Sequence, residues 1–181
     1  MAIWVTSDLH FCHDREFLYE PRGFADVDEM NAALVRRINE EVDDNDELWI
    51  LGDLMLNNTE EGLAYMKLLK GKLHIIFGNH DTDARIEKYK EALPNATFHG
   101  FGARLNYKGY HFFLSHYPTL VYNYDNELPL KKQVINLCGH SHTEHWDADI
   151  DKGLIFHCEM DTNCCYPWNL DTIIEILDEY K

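Results

Sequence analysis

Short apolar runs alternate with longer amphipathic segments through the first half of the chain. The apolar runs have the length and residue types of buried strands, and they are Ala2–Thr6, Glu47–Leu51 and Lys72–Phe77. In the segments between and after them, apolar residues recur every three or four positions, which predicts helices at Asp26–Val42, Glu60–Leu69 and Thr82–Leu93. Such an alternation of strands and helices is typical of parallel strands in an α/β fold.

The second half of the chain has shorter strand candidates and fewer helices. The predicted strands are Ala96–Phe101, Ala103–Tyr107, Tyr110–Leu114, Gln133–Cys138 and Leu154–Cys158. Asn106–Gly109 resembles a hairpin turn, and Leu170–Glu179 is predicted to be a closing helix. We therefore expect this half to be more mixed or antiparallel. Because no repeat or linker interrupts the sequence, residues 1–181 are expected to form one domain.

Composition and charge narrow the functional classes. A hydrophobic fraction of 45% is enough for a packed core. The formal charge is −16, from 32 acidic and 16 basic residues, which disfavours a long nucleic-acid partner because such partners are bound through Lys and Arg. The first ten residues have no secretory pattern, and no run of 18 apolar residues predicts a membrane span. With five cysteines in no framework spacing, we expect reduced thiols and a cytoplasmic protein without a membrane partner.

Polar residues cluster where the predicted strands end. The residues that follow five different strands are Asp8, His10, Asp53, Asn79, His80, Asp81, His116, His140 and His142. Because the carboxyl ends of parallel strands share one edge of a sheet, these side chains are expected to lie together. Gly52, Gly78 and Gly139 precede three of the clusters, as tight turns and close backbone approach require.

The residue types in these clusters predict a metal site. Carboxylate, imidazole and amide groups without thiolate suit hard or borderline divalent ions. Mn²⁺ is expected first, with Fe²⁺, Zn²⁺, Ni²⁺ or Mg²⁺ as alternatives. Seven ligands are more than one tetrahedral ion needs, so two ions that share a bridging carboxylate are the economical arrangement. Such a pair activates water and stabilises negative charge on phosphate oxygens, which predicts hydrolysis of phosphate esters.

The ordered set of motifs resembles the calcineurin-like metallophosphoesterase superfamily. The matching pieces span Asp8 to His142 and are Asp8-Leu9-His10, Gly52-Asp53, Gly78-Asn79-His80-Asp81, His116 and Gly139-His140-Ser141-His142. The resemblance implies a four-layer α-β-β-α sandwich of two mixed sheets, with a dinuclear metal centre at one edge. The run from Asp8 to His13 is similar to a subgroup of small bacterial and phage members.

The resemblance also implies a role for each matching residue. Asp8, His10 and His142 would hold the first ion, and Asn79, His116 and His140 the second, while Asp53 would bridge them. His80 would bind a phosphate oxygen or protonate the leaving alkoxide, and Asp81 would orient the His80 imidazole. Asn79 and His13 are further candidates for substrate contact. The attacking group would be a metal-bridging hydroxide.

Three functions are compatible with this sequence. The first is a phosphoesterase acting on a small phosphomonoester or phosphodiester, for which a nucleotide is one candidate. The second is a catalytically silent metal-binding scaffold for protein interactions, which loss of His80, Asp53 or the Gly-His-Ser-His run would favour; all are intact. The third is a metal-dependent nuclease, which would call for a groove of Lys and Arg. The basic residues here are scattered, apart from Arg36-Arg37 and Lys131-Lys132.

Overall fold

The computed structural model describes residues 1–121, 125 and 127–180, in which strands and helices alternate along the first half. The strands of the first half are β1 (Ile3–Thr6), β2 (Glu47–Leu51), β3 (Lys72–Ile76) and β4 (Thr97–Phe98). The helices are α1 (Glu16–Tyr19), α2 (Val27–Glu41), α3 (Thr59–Met66) and α4 (Asp83–Ala92). Side chains cap two of these helices, because Asp26 accepts from the Glu29 N–H before α2 and Asn58 accepts from the Glu61 N–H before α3.

The described residues of the second half add five strands and two helices. The strands are β5 (Gly102–Tyr107), β6 (Tyr110–Ser115), β7 (Val134–Cys138), β8 (Ile155–His157) and β9 (Trp168–Asn169). The helices are α5 (Ile150–Gly153) and α6 (Leu170–Tyr180), and two 3₁₀ turns lie at Leu130–Lys132 and Met160–Asn163. The predicted closing helix is therefore confirmed to within one residue at its end.

The strands form two mixed sheets. The first has the order β4-β3-β2-β1-β9, with β1 to β4 parallel and β9 antiparallel to β1. The second has the order β5-β6-β7-β8, with β5 antiparallel to β6 and the remaining pairs parallel. The α/β fold of two mixed sheets with helices is thus confirmed.

Two hydrophobic clusters lie on opposite faces of the first sheet. Leu48 and Ile50 of β2 belong to the cluster that contains the apolar residues of α2, α3 and α4. Trp49 and Leu51 of the same strand belong to the other cluster, which contains residues of β6, β7, β8 and α6. This alternation follows from the two-residue period of a strand, and it places the second sheet against the inner face of the first.

The second sheet is mixed, as expected, and its antiparallel pair is the predicted hairpin. Tyr107 pairs with Tyr110 across a two-residue turn whose central residues, Lys108 and Gly109, both have positive φ, so the predicted hairpin is confirmed. β7 and β8, by contrast, join the sheet in parallel, because the long connections before them allow the chain to cross over.

The predicted strand Ala96–Phe101 is shorter than expected and lies in the other sheet. Only Thr97–Phe98 is a strand, and it pairs with β3. Gly100, with φ of +70°, then turns the chain before it enters the second sheet. The strand β9 escapes sequence analysis because two residues are too few to show a period of two.

One carboxylate of the acidic stretch before β2 ties three segments together. Asp46 is buried, and its two oxygens accept from the Ala2 N–H at 2.6 Å, the Trp4 Nε1–H at 3.2 Å and the Asp43 N–H at 3.2 Å. Its own carbonyl accepts from the Lys72 N–H at 2.8 Å. The side chain therefore fixes the start of β1 beside the start of β2, and the backbone carbonyl of the same residue joins the start of β3.

We expect Asp46→Asn to lower the free energy of unfolding by about 1–3 kcal/mol at neutral pH, because an amide keeps only one acceptor oxygen. The backbone hydrogen bond from Ala2 holds the pKa of Asp46 below its ordinary value of 3.8. The carboxylate's contribution is therefore fully present above that value and is lost as the pH falls below it. Denaturant unfolding of both proteins from pH 7 to pH 3 should show their difference shrinking below about pH 4.

The exposed neighbour Asp44 provides the matched control, because Asp44→Asn removes the same charge from the same turn. We expect that change to alter stability by less than about 0.5 kcal/mol. A difference between wild type and Asp46→Asn that stays constant down to pH 3 would contradict this account of Asp46.

Candidate metal centre

The loops that follow five strands meet at one edge of the two sheets. Asp8, Asp53 and Asn79 follow the parallel strands β1, β2 and β3, while His116 and His140 follow β6 and β7. Backbone hydrogen bonds join the loops, from the Asp8 N–H to the Gly52 carbonyl and from the Gly139 N–H to the His116 carbonyl. The predicted convergence of these side chains therefore occurs.

Three of the predicted ligands form a first group. The Nε2 atoms of His10 and His142 are 3.0 Å apart, and Asp8 Oδ1 lies 3.5 Å from the former and 3.4 Å from the latter. These ligand atoms lie within 4.8 Å of one another, a spacing suited to one shared cation. Asp8 and His10 are buried, whereas the His142 side chain is partly exposed.

Three others form a second group around an amide oxygen. Asn79 Oδ1 lies 2.9 Å from His116 Nε2 and 2.9 Å from His140 Nδ1. His116 is buried, and its Nδ1 donates to the Leu51 carbonyl at 2.8 Å, so its Nε2 lone pair is directed at the centre. Asn79 and His140 are exposed, which places them where a ligand in solution can reach them.

Asp53 lies between the two groups. Its Oδ2 is 3.6 Å from His10 Nε2 in the first group and 3.5 Å from His116 Nε2 in the second. Its other oxygen, Oδ1, accepts from the His80 N–H at 2.9 Å. Asp8 is arranged in the same way, since its Oδ2 accepts from the His140 N–H at 2.8 Å. In both buried carboxylates, therefore, one oxygen accepts a hydrogen bond from a backbone N–H, and the other oxygen faces the predicted ligand nitrogens.

The chemistry of these atoms fits divalent cations. Asp8 Oδ1 is fully buried and has no hydrogen-bond partner among the described residues, and it faces two imidazole nitrogens. Although burial raises the pKa of Asp8, the neighbouring imidazoles of His10 and His142 lower it below the ordinary value, so the group is a carboxylate. Burial lowers the pKa of His10, which keeps its ring neutral. Both groups are thus in the form that binds metal.

The backbone around these groups is strained. Five of the predicted ligands have positive φ although none is glycine, namely Asp8, His10, Asp53, His140 and His142. Such conformations cost of order 1–3 kcal/mol each and cluster at functional sites. The positive φ values change the directions of nearby side chains so that they converge on one point. An extended strand cannot do this, because successive side chains point to opposite faces of the sheet.

Two of the predicted glycines are required by close approach. A Cβ atom on Gly139 would collide with the Ser7 hydroxyl and with the Asp8 carboxylate. Gly52 has φ of +97°, and a Cβ there would lie 2.7 Å from His116 Nδ1. Any side chain at either position would displace a predicted ligand.

The residues predicted to contact substrate lie beside the centre. The half-exposed His80 has its Nε2 3.9 Å from Asp53 Oδ2, and its ring centroid is 5.5 Å from that of His10. The His13 ring is 5.2 Å from His10, and burial together with His10 and His80 lowers its pKa to about 4. Both rings border the same cleft.

Asp81 has different partners from those expected. Its carboxylate accepts from the Asp53 N–H and the Gly78 N–H, each at 2.8 Å, and from the Tyr89 hydroxyl at 3.0 Å. No contact with the His80 imidazole occurs within the described part of the chain. Asp81 therefore fixes the two turns that carry Asp53 and Asn79, and its influence on His80 runs through the backbone.

Sequence analysis missed a buried ion pair behind His142. The Arg22 guanidinium is bidentate to Asp161, at 2.9 and 2.8 Å, and also donates to the Asp8 carbonyl at 2.8 Å. Asp161 Oδ2 accepts from His142 Nδ1 at 3.1 Å, which directs the Nε2 lone pair at the first group. Burial raises the pKa of Asp161, but the hydrogen bonds from His142 and Arg22 lower it below its ordinary value. The polar segment Met160–Asn163 is a sequence signal for Asp161, whereas Arg22 lies in a loop with no such signal.

A second buried acid, also missed, supports the loop between Gly139 and His142. Glu159 Oε1 accepts from the Ser141 N–H at 3.0 Å and pairs with His157 Nδ1 at 3.1 Å. Glu159 and His157 are both completely buried, so Glu159 supports the loop from the interior of the protein.

Among the helices of the described residues, none is long and apolar enough to cross a membrane.

Comparison with known proteins identifies the sequence family of this chain. The sequence model of the calcineurin-like phosphoesterase superfamily domain matches residues 1–157. An uncharacterized protein of Methanocaldococcus jannaschii is 30% identical over 186 residues, covering 99% of this chain and 93% of that protein.

Two solved structures resemble the fold. A protein of unknown function from Aquifex aeolicus has a TM-score of 0.69 and 22% identity, with 97% of this chain and 98% of that chain covered. A structure described as a novel archaeal phosphodiesterase has a TM-score of 0.51 and 16% identity, with 90% and 87% covered. At these levels of sequence identity, the structural similarity establishes a shared fold.

The hydrogen bond between Asp161 and His142 should influence the affinity of the first group for metal. We expect Asp161→Asn to weaken binding at the first group by about 10–100-fold, because loss of a carboxylate that orients a ligand imidazole has effects of this size. Binding at the second group should change little, since Asp161 contacts none of its members. Isothermal titration of metal-free protein with Mn²⁺ measures both affinities.

Glu144 offers a matched control, because it borders the same cleft and is exposed. Glu144→Gln removes the same charge and should leave both affinities within about threefold of wild type, as expected for an exposed charge. Equal weakening of both sites by Asp161→Asn, or no weakening, would rule out a specific action of Asp161 on His142.

Proposed function

We propose that this chain, which belongs to the calcineurin-like phosphoesterase superfamily, is a metal-dependent hydrolase of phosphate esters with two divalent ions in one centre. Family membership supports metal-dependent phosphoesterase chemistry in general. The position of Asp53 Oδ2, 3.6 Å from His10 Nε2 and 3.5 Å from His116 Nε2, is the observation that carries the dinuclear part of the proposal. One carboxylate oxygen equidistant from two ligand groups is the arrangement that a bridging ligand needs.

Each group would hold one ion. Asp8, His10 and His142 would hold the first, and Asn79, His116 and His140 the second, with Asp53 shared. The donor set of oxygens and imidazoles, with no thiolate, favours Mn²⁺ and also accepts Fe²⁺, Zn²⁺, Ni²⁺ or Mg²⁺. When bound, two such ions supply an acidified water molecule and neutralise charge that develops on phosphate oxygens.

The chain's own residues position the substrate and handle a proton. His80 is the candidate general acid, because its half-exposed ring borders both the centre and the cleft. Its Nε2–H would donate to a phosphate oxygen or to the leaving alkoxide. Asp81 is a positioning residue, since it holds the backbone on either side of Asp53. Asn79 and His13 are further candidates for contact with the substrate.

A small phosphate ester suits this site better than a polymer. Among the described residues that border the cleft, two are arginines and none is a lysine, and one of the arginines is paired with Asp161. A nucleic-acid strand needs a track of several cations, which these described residues do not provide. A phosphomonoester, or a diester with a small second alcohol, is therefore the proposed substrate.

The proposal predicts Mn²⁺-dependent hydrolysis of p-nitrophenyl phosphate or of bis(p-nitrophenyl) phosphate by metal-stripped protein to which Mn²⁺ is restored. Asp53→Asn should abolish turnover, because an amide lacks the charge to bridge two cations. His80→Ala should lower kcat without loss of Mn²⁺ binding, because the ring would no longer donate to a phosphate oxygen. The loss of about 10²–10⁴-fold that a general acid contributes is expected with esters of alkyl alcohols, because p-nitrophenolate leaves with little need of a proton.

His111→Ala serves as the matched histidine control, since His111 is exposed near the end of β6 opposite to the centre. It should retain full turnover. The preferred ester separates a monoesterase from a diesterase. Unchanged turnover in Asp53→Asn, or activity that persists without divalent ions, would refute the proposed mechanism.

A further inference from the structure

A cleft of about 950 Å³ opens on one side of the proposed centre. It is bordered by His10, His80 and His142, but by neither His116 nor His140. The cleft is much larger than a phosphate group and falls in the range of small-molecule sites. If a phosphate lies at the centre, the organic part of its ester therefore extends over the first group and away from the second.

The two arginines that border this cleft differ in how their charge is used. Arg22 is buried, and its guanidinium is bidentate to Asp161. Arg37 is half-buried and donates to the Cys164 carbonyl at 2.9 Å. Within the ranges that the structure describes, no carboxylate pairs with Arg37. In a chain with a formal charge of −16, a cation in a cleft without an acidic partner is a candidate anion site.

The Arg37 guanidinium is also held in place. Its Cζ lies 5.2 Å from the ring centroid of Phe24 and 5.4 Å from that of Tyr166. Together with the bond to the Cys164 carbonyl, these contacts fix the plane of the group. A cation that is already ordered loses less entropy when it binds an anion.

A large aromatic side chain also borders the cleft. Phe17, in α1, is 72% exposed, although an exposed ring in water is unfavourable. Its centroid is 5.7 Å from that of His13, and the two rings are nearly perpendicular. Leu18 and Pro21 border the same cleft and add to its apolar wall. This wall is suited to a flat ring, which stacks on an aromatic face.

We propose that the cleft selects phosphate esters whose organic part contains a planar ring and ends in a second anionic group, which Arg37 binds. A nucleoside with two phosphates has this pattern. The assignment rests on the proposed function, because it takes the metal centre as the place of the reacting phosphate. Phe17 and Arg37 are then specificity-determining residues, and neither touches the reacting atoms.

Calorimetric titration of the Mn²⁺-loaded protein with thymidine 3′,5′-bisphosphate and with thymidine 5′-monophosphate tests this assignment. The bisphosphate should bind at least tenfold more tightly, because a charge-assisted contact to a guanidinium has this magnitude. Free phosphate is assayed after each titration. If a nucleotide is hydrolysed, the ratio of kcat/KM values replaces the ratio of affinities.

Three variants locate the preference. Arg37→Met removes the charge but keeps an apolar stem against Phe24 and Tyr166, and it should bring the ratio close to one. Arg36→Met, at an exposed neighbour that pairs with Glu40 at 3.6 Å, should leave the ratio unchanged. Phe17→Ala should weaken both nucleotides equally and leave the binding of inorganic phosphate as in wild type. Thermal unfolding of each variant shows that it is folded.

The result separates this inference from the proposed function. Equal affinity for the two nucleotides in wild type, a preference that survives Arg37→Met, or binding of neither nucleotide overturns the second anion site. If p-nitrophenyl esters are not hydrolysed but the preference follows Arg37, the proposed activity fails and the cleft assignment stands. If the esters are hydrolysed without any preference, the cleft assignment alone fails.

Discussion

Two buried carboxylates at the ends of neighbouring parallel strands, Asp8 and Asp53, determine the form of this site. One oxygen of each accepts from a backbone N–H of another loop of the site, that of His140 for Asp8 and that of His80 for Asp53. The second oxygen of each lies among imidazole nitrogens and has the geometry of a cation ligand. Because a buried carboxylate without a partner is strongly unfavourable, the arrangement of the loops, the strained backbone and the glycines without room for a side chain supports the proposal of bound cations.

Sequence reasoning identified the strands and the ligand clusters because both leave local signals. β1, β2 and β3 are continuous apolar runs, and the residues that follow them have the types that bind metal. The positions of β9 and β4 could not be predicted from the sequence in this way. A two-residue strand is too short to show an alternating hydrophobic pattern, and the sheet that it joins depends on a partner strand distant in sequence. The parallel course of β7 and β8 likewise depends on how long connections fold.

The features that sequence reasoning missed at the site are long-range contacts. Arg22 lies 139 positions from Asp161, and nothing in the local sequence marks the pair. The expected partner of His80 was wrong in detail for a related reason, because Asp81 turns inward to the Asp53 loop and Tyr89. Adjacent residues in a tight turn point in different directions, so neighbours in sequence need not touch. The cleft beside the centre also depends on long-range contacts, because residues of α1, α2 and the Met160–Asn163 turn border it.

We propose that two divalent ions share Asp53. Electron paramagnetic resonance of metal-free protein during titration with Mn²⁺ can detect such a pair, since ions about 3.5–4 Å apart are magnetically coupled. Two bound Mn²⁺ per chain with the spectrum of a coupled pair are expected, and Asp53→Asn should abolish that spectrum. A single bound ion, or two ions with the spectra of isolated Mn²⁺, would rule out a shared Asp53.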